Sequence, residues 1–224
     1  MIRNFRVGAW IMFLGGMAVA IAILAWGMKD RRPVLVCLGD SLTSCGGKGG
    51  HYSDWLQRQM PDVRVIDAGI GGDTLDGGLR RYGKDVLERH PDVVLIALGA
   101  NDFWRNMRTV EEMFADLESM IVQARSNGCE VVVAGCFGKR DFWNEICTEF
   151  SASRFKLASD MGAAEEALCR KYRCRYVPNM QVDVKPNRLA PFWDETDHPN
   201  KAGNEQVALR LLPALRQAVM AKVK

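Results

Sequence analysis

The sequence predicts an α/β sandwich built on a parallel sheet, and three observations predict it. Short apolar runs rich in Val, Ile and Leu alternate with longer stretches of helical spacing. Within the short runs the apolar character is nearly continuous, as expected of strands whose sheet is covered by helices on both faces. The alternation begins after Arg31-Arg32-Pro33 and runs to the C-terminal helix without an internal repeat or a low-complexity tract. With 48% hydrophobic residues in 224, the chain carries enough apolar surface to offset the entropy of ordering one domain.

Taken in order, the expected strands are 34–38, 63–68, 93–98, 130–136 and 176–178. The expected helices are 52–60, 75–89, 110–126, 155–172 and 202–221. In 110–126, for example, Val110, Met113, Phe114, Leu117, Met120 and Ile121 fall on one stripe with charges opposite. Strand followed by helix, repeated, implies right-handed crossovers. It also says where chemistry belongs: beyond the carboxyl ends of the strands, in the loops that enter the following helices.

An appendage precedes this pattern. Residues 7–28 contain no charge, between Arg3 and Arg6 on one side and Lys29, Asp30, Arg31 and Arg32 on the other. As a helix this stretch is about 33 Å long, enough to cross a hydrocarbon core. The resulting organisation is a tail (1–6), a transmembrane helix or signal anchor (7–28), a linker (29–33) and a domain (34–224). A cleavable signal peptide and a buried soluble helix are the competing readings; the apolar run continues through Leu24 and Trp26, past the small residues a cleavage site would need. Positive residues flank both ends, so the positive-inside rule barely discriminates; the domain is expected on the extracytoplasmic side, periplasmic or at the cell surface.

Residues 1–32 hold five Lys or Arg and one Asp, which is +4 of a formal total of +3 and leaves −1 for the rest. A nearly neutral domain lacks the basic footprint of nucleic-acid binding. The seven cysteines (Cys37, Cys45, Cys129, Cys136, Cys147, Cys169, Cys174) are odd in number, so at least one thiol is free. No C-x-x-C spacing suggests structural zinc.

The first strand empties into Gly39-Asp40-Ser41-Leu42, where a serine on a sharp strand-to-helix turn presents its hydroxyl at the sheet edge. The second ends in Asp67-Ala68-Gly69-Ile70-Gly71-Gly72-Asp73-Thr74 and the third in Gly99-Ala100-Asn101-Asp102. Glycine N–H groups and an Asn amide at that edge could serve a developing oxyanion; singly, each loop reads as a tight turn capped by Asp73 or Thr74. The last loop, Trp193-Asp194-Glu195-Thr196-Asp197-His198-Pro199-Asn200, sets three acids close to a histidine. His51 and His90 read as surface residues.

Four of these blocks, in this order, Gly39-Asp40-Ser41-Leu42, Gly72-Asp73-Thr74, Gly99-Ala100-Asn101-Asp102 and His198-Pro199-Asn200, resemble those of the SGNH hydrolases, or GDSL lipases and esterases. The similarity spans residues 34–220 and is closest to the thioesterase I/lysophospholipase L1 branch. It implies a flavodoxin-like three-layer fold with a five-stranded parallel sheet, Ser41 as nucleophile and His198 as general base. The oxyanion hole would be Ser41 N–H, Gly72 N–H and the Asn101 side chain, with Asp40 bracing the turn. The family places its acid three residues before the histidine. Here that residue is Glu195, while Trp193-Asp194 matches the aromatic-Asp start of many relatives; both stand as candidates, ahead of Asp197.

The implied activity is hydrolysis of carboxylic esters through an acyl-serine, without cofactor or metal. The expected substrates are an acyl lipid, lysophospholipid or thioester, or an O-acetyl group on cell-envelope carbohydrate. Residues 137–155, with Phe142, Trp143 and Phe150, are expected to overhang the site. A non-catalytic membrane-anchored binding module is the alternative; it would be expected to lack one of Ser, Gly, Asn or His.

Overall fold

The computed structural model describes residues 32–135, 151–181, 192, 194 and 198–223. In chain order it contains β1 (Val34–Gly39), α1 (Ser41–Ser44), α2 (Tyr52–Gln59), β2 (Arg64–Gly69), α3 (Leu75–Asp85), β3 (Val93–Ala97), α4 (Ala100–Arg105), α5 (Val110–Ser126), β4 (Glu130–Ala134), α6 (Ala152–Tyr172), β5 (Arg175–Val177) and α7 (Lys201–Val223).

All strand pairings are parallel and the order is β2-β1-β3-β4-β5. The continuous apolar runs resolve into two faces because successive strand residues point to opposite sides. Val36, Leu38, Val94, Ile96, Val131 and Val133 pack with residues of α3, α5 and α6. Leu35, Cys37, Val93, Leu95, Ala97, Val132 and Ala134 pack with residues of α2 and α7. The result is the expected three-layer sandwich; each such buried Val, Leu or Ile contributes roughly 1.5–3 kcal/mol relative to exposure. β2, at the sheet edge, is correspondingly the least buried of the long strands.

Local chemistry moves two expected helix boundaries. The stretch expected as one helix over 75–89 is α-helical only to Asp85, then tightens into a 3₁₀ turn over Leu87–Arg89 and ends at left-handed His90 (φ 52°). Pro91 disfavours a helical residue before it. α6 starts at Ala152, three residues earlier than expected, because the Ser151 hydroxyl accepts the Arg154 N–H as a cap. Two short helices, α1 and α4, stand where turns alone were expected.

The chain runs outward from β1 to β2 and then returns past β1 to β3, so the order reverses between β1 and β3. That crevice is the place where open α/β sheets bind ligands. Among the described residues no helix is long and apolar enough to cross a membrane. The segment 7–28, like the aromatic residues Phe142, Trp143 and Phe150, lies outside the described residues.

Candidate active site

Ser41 is the first residue of α1, whose entry is capped by Asp40: the carboxylate accepts the Leu42 N–H at 2.9 Å. The helix lies hard against the strand ends, since a Cβ on Gly39 would stand 1.9 Å from the Thr43 hydroxyl and one on Gly69 2.8 Å from Thr43 Cβ. Those two glycines set the depth of the serine turn. Thr43 is itself buried and shares a 2.9 Å hydrogen bond with the Tyr52 hydroxyl.

His198 comes from the loop before α7. Its Nε2 is 2.8 Å from Ser41 Oγ, within hydrogen-bond reach for proton transfer. The loop closes on itself: Asp194 N–H donates to the His198 carbonyl at 2.8 Å, and His198 N–H donates to Asp194 Oδ1 at 3.1 Å. Asp194 thus holds the main chain of the turn that carries the imidazole. Glu195 and Asp197 lie outside the described residues. Asn200 caps α7 by accepting the Ala202 and Gly203 N–H groups. Buried Asn204 then ties this loop to the serine helix, donating to the carbonyls of Pro199 (3.0 Å) and Cys45 (3.1 Å).

The second loop turns between Ile70 and Asp73, closed by Asp73 N–H to the Ile70 carbonyl at 3.1 Å. Gly72 occupies its left-handed position (φ 77°), which a side chain would strain. Arg105 donates to the Gly72 carbonyl at 2.6 Å. From the third loop, Asn101 Nδ2 donates to the Asp73 carbonyl at 2.9 Å and to Asp40 Oδ2 at 3.2 Å. The next residue, Asp102, accepts the Leu75 N–H at 2.9 Å and so stitches α4 to the start of α3. Thr74 rather than Asp73 caps α3.

Asp40 is the most perturbed acid of the site. Complete burial pushes its carboxyl up to about 6, against the lowering effects of the Leu42 N–H, the nearby His198 and the Asn101 amide. Its place between the serine turn and Asn101 extends the bracing role expected of it.

The structure therefore brings Ser41, Gly72, Asn101 and His198 to one edge of the sheet. His51 departs from a simple surface reading: it is half-buried, with Nδ1 3.3 Å from Asp67 Oδ2, which also accepts the Ser53 hydroxyl at 2.5 Å. Among the described residues no group of three or more His, Cys, Asp or Glu is placed to hold a metal ion, and Cys37, Cys45, Cys129, Cys169 and Cys174 are free thiols. Two contributors were not foreseen, Asn204 and Arg81. Arg81 lies three residues after Gly78, whose burial in the structure marks this face of α3 as the inward one.

Comparison with known proteins bears on this geometry. Residues 37–206 match the profile of the GDSL-like lipase/acylhydrolase family. The chain is 35% identical over 122 residues to esterase TesA of Pseudomonas aeruginosa, covering 51% of this chain and 60% of that protein. It is 26% identical over 186 residues to thioesterase 1/protease 1/lysophospholipase L1 of Escherichia coli strain K12, covering 78% and 79%. Across the first three curated relatives it matches, the chain spans only 52–60% of their length. Among solved structures, a crystal structure of TesA superposes with a TM-score of 0.70 at 24% identity, over 83% of this chain and 99% of that one. At that identity the likeness speaks for the fold.

Proposed function

The chain belongs to the GDSL-like lipase/acylhydrolase family, and we propose that it cleaves carboxylic esters through an acyl-serine intermediate. The observation that carries this reading is the 2.8 Å contact between His198 Nε2 and Ser41 Oγ. In the proposed cycle His198 removes the Ser41 proton as Oγ attacks the ester carbonyl, then returns it to the leaving alkoxide; a water attacks the acyl-serine with His198 again as base. The N–H groups of Ser41 and Gly72 and the Asn101 amide receive the oxyanion. Glu195 is assigned to the imidazole, three residues before it, while Asp194 holds the turn through His198 N–H. No step calls for a metal or an organic cofactor.

Acyl lipids or thioesters are the preferred substrates. Exposed Ile70, in the loop after β2, and exposed Trp104 and Met107, in and just beyond α4, supply apolar surface near the loops of the site. Residues 7–28 are assigned as an anchor that holds the domain on the extracytoplasmic side; protease digestion of intact and lysed spheroplasts tests this, with cleavage in intact spheroplasts expected. Ser41→Ala should abolish hydrolysis of p-nitrophenyl acetate while leaving the folded circular dichroism spectrum unchanged. A series of p-nitrophenyl esters from acetyl to palmitoyl then reads the substrate class: kcat/KM rising with chain length supports the acyl-lipid assignment, and a maximum at acetyl replaces it with O-acetyl ester cleavage.

A further inference from the structure

We propose that Arg81 is a positioning residue of the oxyanion hole, an inference that rests on the ester-hydrolase reading of the site. Its side chain rises from α3 with 13% exposure and touches three segments at once. Nη2 donates to the Gly39 carbonyl at 2.9 Å, Nη1 to the Ala68 carbonyl at 2.8 Å and Nε to Asp73 Oδ2 at 2.7 Å. Nη1 also faces Asp85 Oδ2 at 3.2 Å, one turn along the helix, so two carboxylates balance the buried cation.

Each of these anchor points adjoins a working group. Gly39 lies two residues before Ser41, Ala68 opens the segment that leads to Gly72, and Asp73 directly follows Gly72. Asp73 in turn offers its carbonyl to Asn101 Nδ2. One planar cation therefore sets the spacing between the nucleophile turn and the loop that carries the Gly72 N–H, and reaches Asn101 through Asp73. The task needs a fork: a guanidinium presents five donors in a fixed plane, whereas an ammonium on a flexible stem cannot serve two carbonyls and a carboxylate in these directions together. Without the cation, the half-buried Asp73 carboxylate would turn toward water, and the Gly72 peptides would follow it. The Gly39 carbonyl would keep its bond from Ile70 N–H at 3.0 Å, so the strand pairing itself does not depend on Arg81.

Because Arg81 acts through other groups, its loss is read in the transition state. The test compares wild type, Arg81→Lys and Asp73→Asn in three measurements: kcat and KM on p-nitrophenyl acetate, inhibition by butylboronic acid, and the thermal unfolding midpoint. The boronate bonds to the serine and sets an oxygen in the oxyanion hole, so its affinity follows transition-state fit. For Arg81→Lys we expect kcat to fall about 10- to 100-fold with KM within about threefold of wild type, and boronate affinity to weaken by a similar factor. Asp73→Asn keeps an oxygen for the Thr74 N–H, which Asp73 Oδ1 accepts at 3.1 Å; it should shift the same quantities in the same direction and decides the question if Arg81→Lys does not fold. Folded variants with wild-type kcat and boronate affinity, or a loss confined to KM or to the fraction folded, would overturn the proposal. A wild-type protein that neither hydrolyses the ester nor binds the boronate would instead overturn the reading of the site, and this inference with it.

Discussion

Asn101 and Asp40 are joined by a 3.2 Å hydrogen bond from the amide Nδ2 to the carboxylate Oδ2. The same nitrogen serves the Asp73 carbonyl, so an oxyanion that binds Asn101 competes with an internal partner for an amide hydrogen. This relationship couples the charge on the serine turn to the amide proposed for the oxyanion hole. Replacing Asn101 by Ala should lower kcat by about 10²–10³-fold, the usual cost of losing one such donor. It should also raise the Asp40 carboxyl further above about 6, since the Asn101 amide is among the groups holding it down. Carboxyl-carbon NMR titration of the two proteins reads the second effect; an Asp40 that titrates alike in both would remove the coupling.

The acid that orients His198 is open to a direct comparison. Asp194 Oδ1 accepts the His198 main-chain N–H, which gives it a structural task in the turn. With Glu195 assigned to the imidazole, Glu195→Gln should lower kcat on the order of 10²–10⁴-fold, and Asp194→Asn by no more than about tenfold. Steady-state kinetics at one pH checks both, and the reverse ranking would reassign the acid to Asp194.

Glu165, in α6, predicts a pH dependence of stability. It is fully buried, its carboxyl is pushed up to about 8 by that burial, and its Oε2 accepts the Tyr176 hydroxyl at 2.8 Å. A Cβ on Gly135 would stand 2.2 Å from that oxygen, so the space for the pair depends on the glycine. Because the folded pKa exceeds the unfolded one, the folded protein holds a proton that the unfolded chain has already released. The stabilisation is complete below the unfolded carboxylate range and is lost as pH rises toward 8, at a slope near 1.4 kcal/mol per pH unit in the middle of that window. Glu165→Gln keeps an oxygen for Tyr176 and removes the titration. Denaturant unfolding at pH 5 and pH 8 should show the variant gaining on wild type at the higher pH; an unchanged difference would refute the assignment.

How much of this was legible in the sequence follows from how local each signal is. Ser41, Gly72 and Asn101 each sit in a short loop directly after an apolar run, so a sheet with helices on both faces carries all three to one edge. The five strands were legible for the same reason, their ends displaced by no more than one or two residues, while a cap and a proline moved the ends of two helices. Arg81 and Glu165 were not legible, and their neighbours show why. Arg80 is exposed and pairs with Asp76, while Arg81 turns inward. Glu166 is exposed and pairs with Arg170, while Glu165 is buried. Adjacent helical residues point about 100° apart, so the same residue type meets water at one position and the sheet at the next. Only the packing of α3 and α6 says which. Asn204 escaped likewise, because its partners Cys45 and Pro199 belong to two separate loops.

The most direct test of the central claim is to find where the covalent intermediate forms. Treating the protein with a fluorophosphonate and mapping the adduct by mass spectrometry should place it on Ser41 alone, absent from Ser41→Ala and formed far more slowly in His198→Ala. An adduct on another residue, or ester hydrolysis undiminished in Ser41→Ala, would contradict the account.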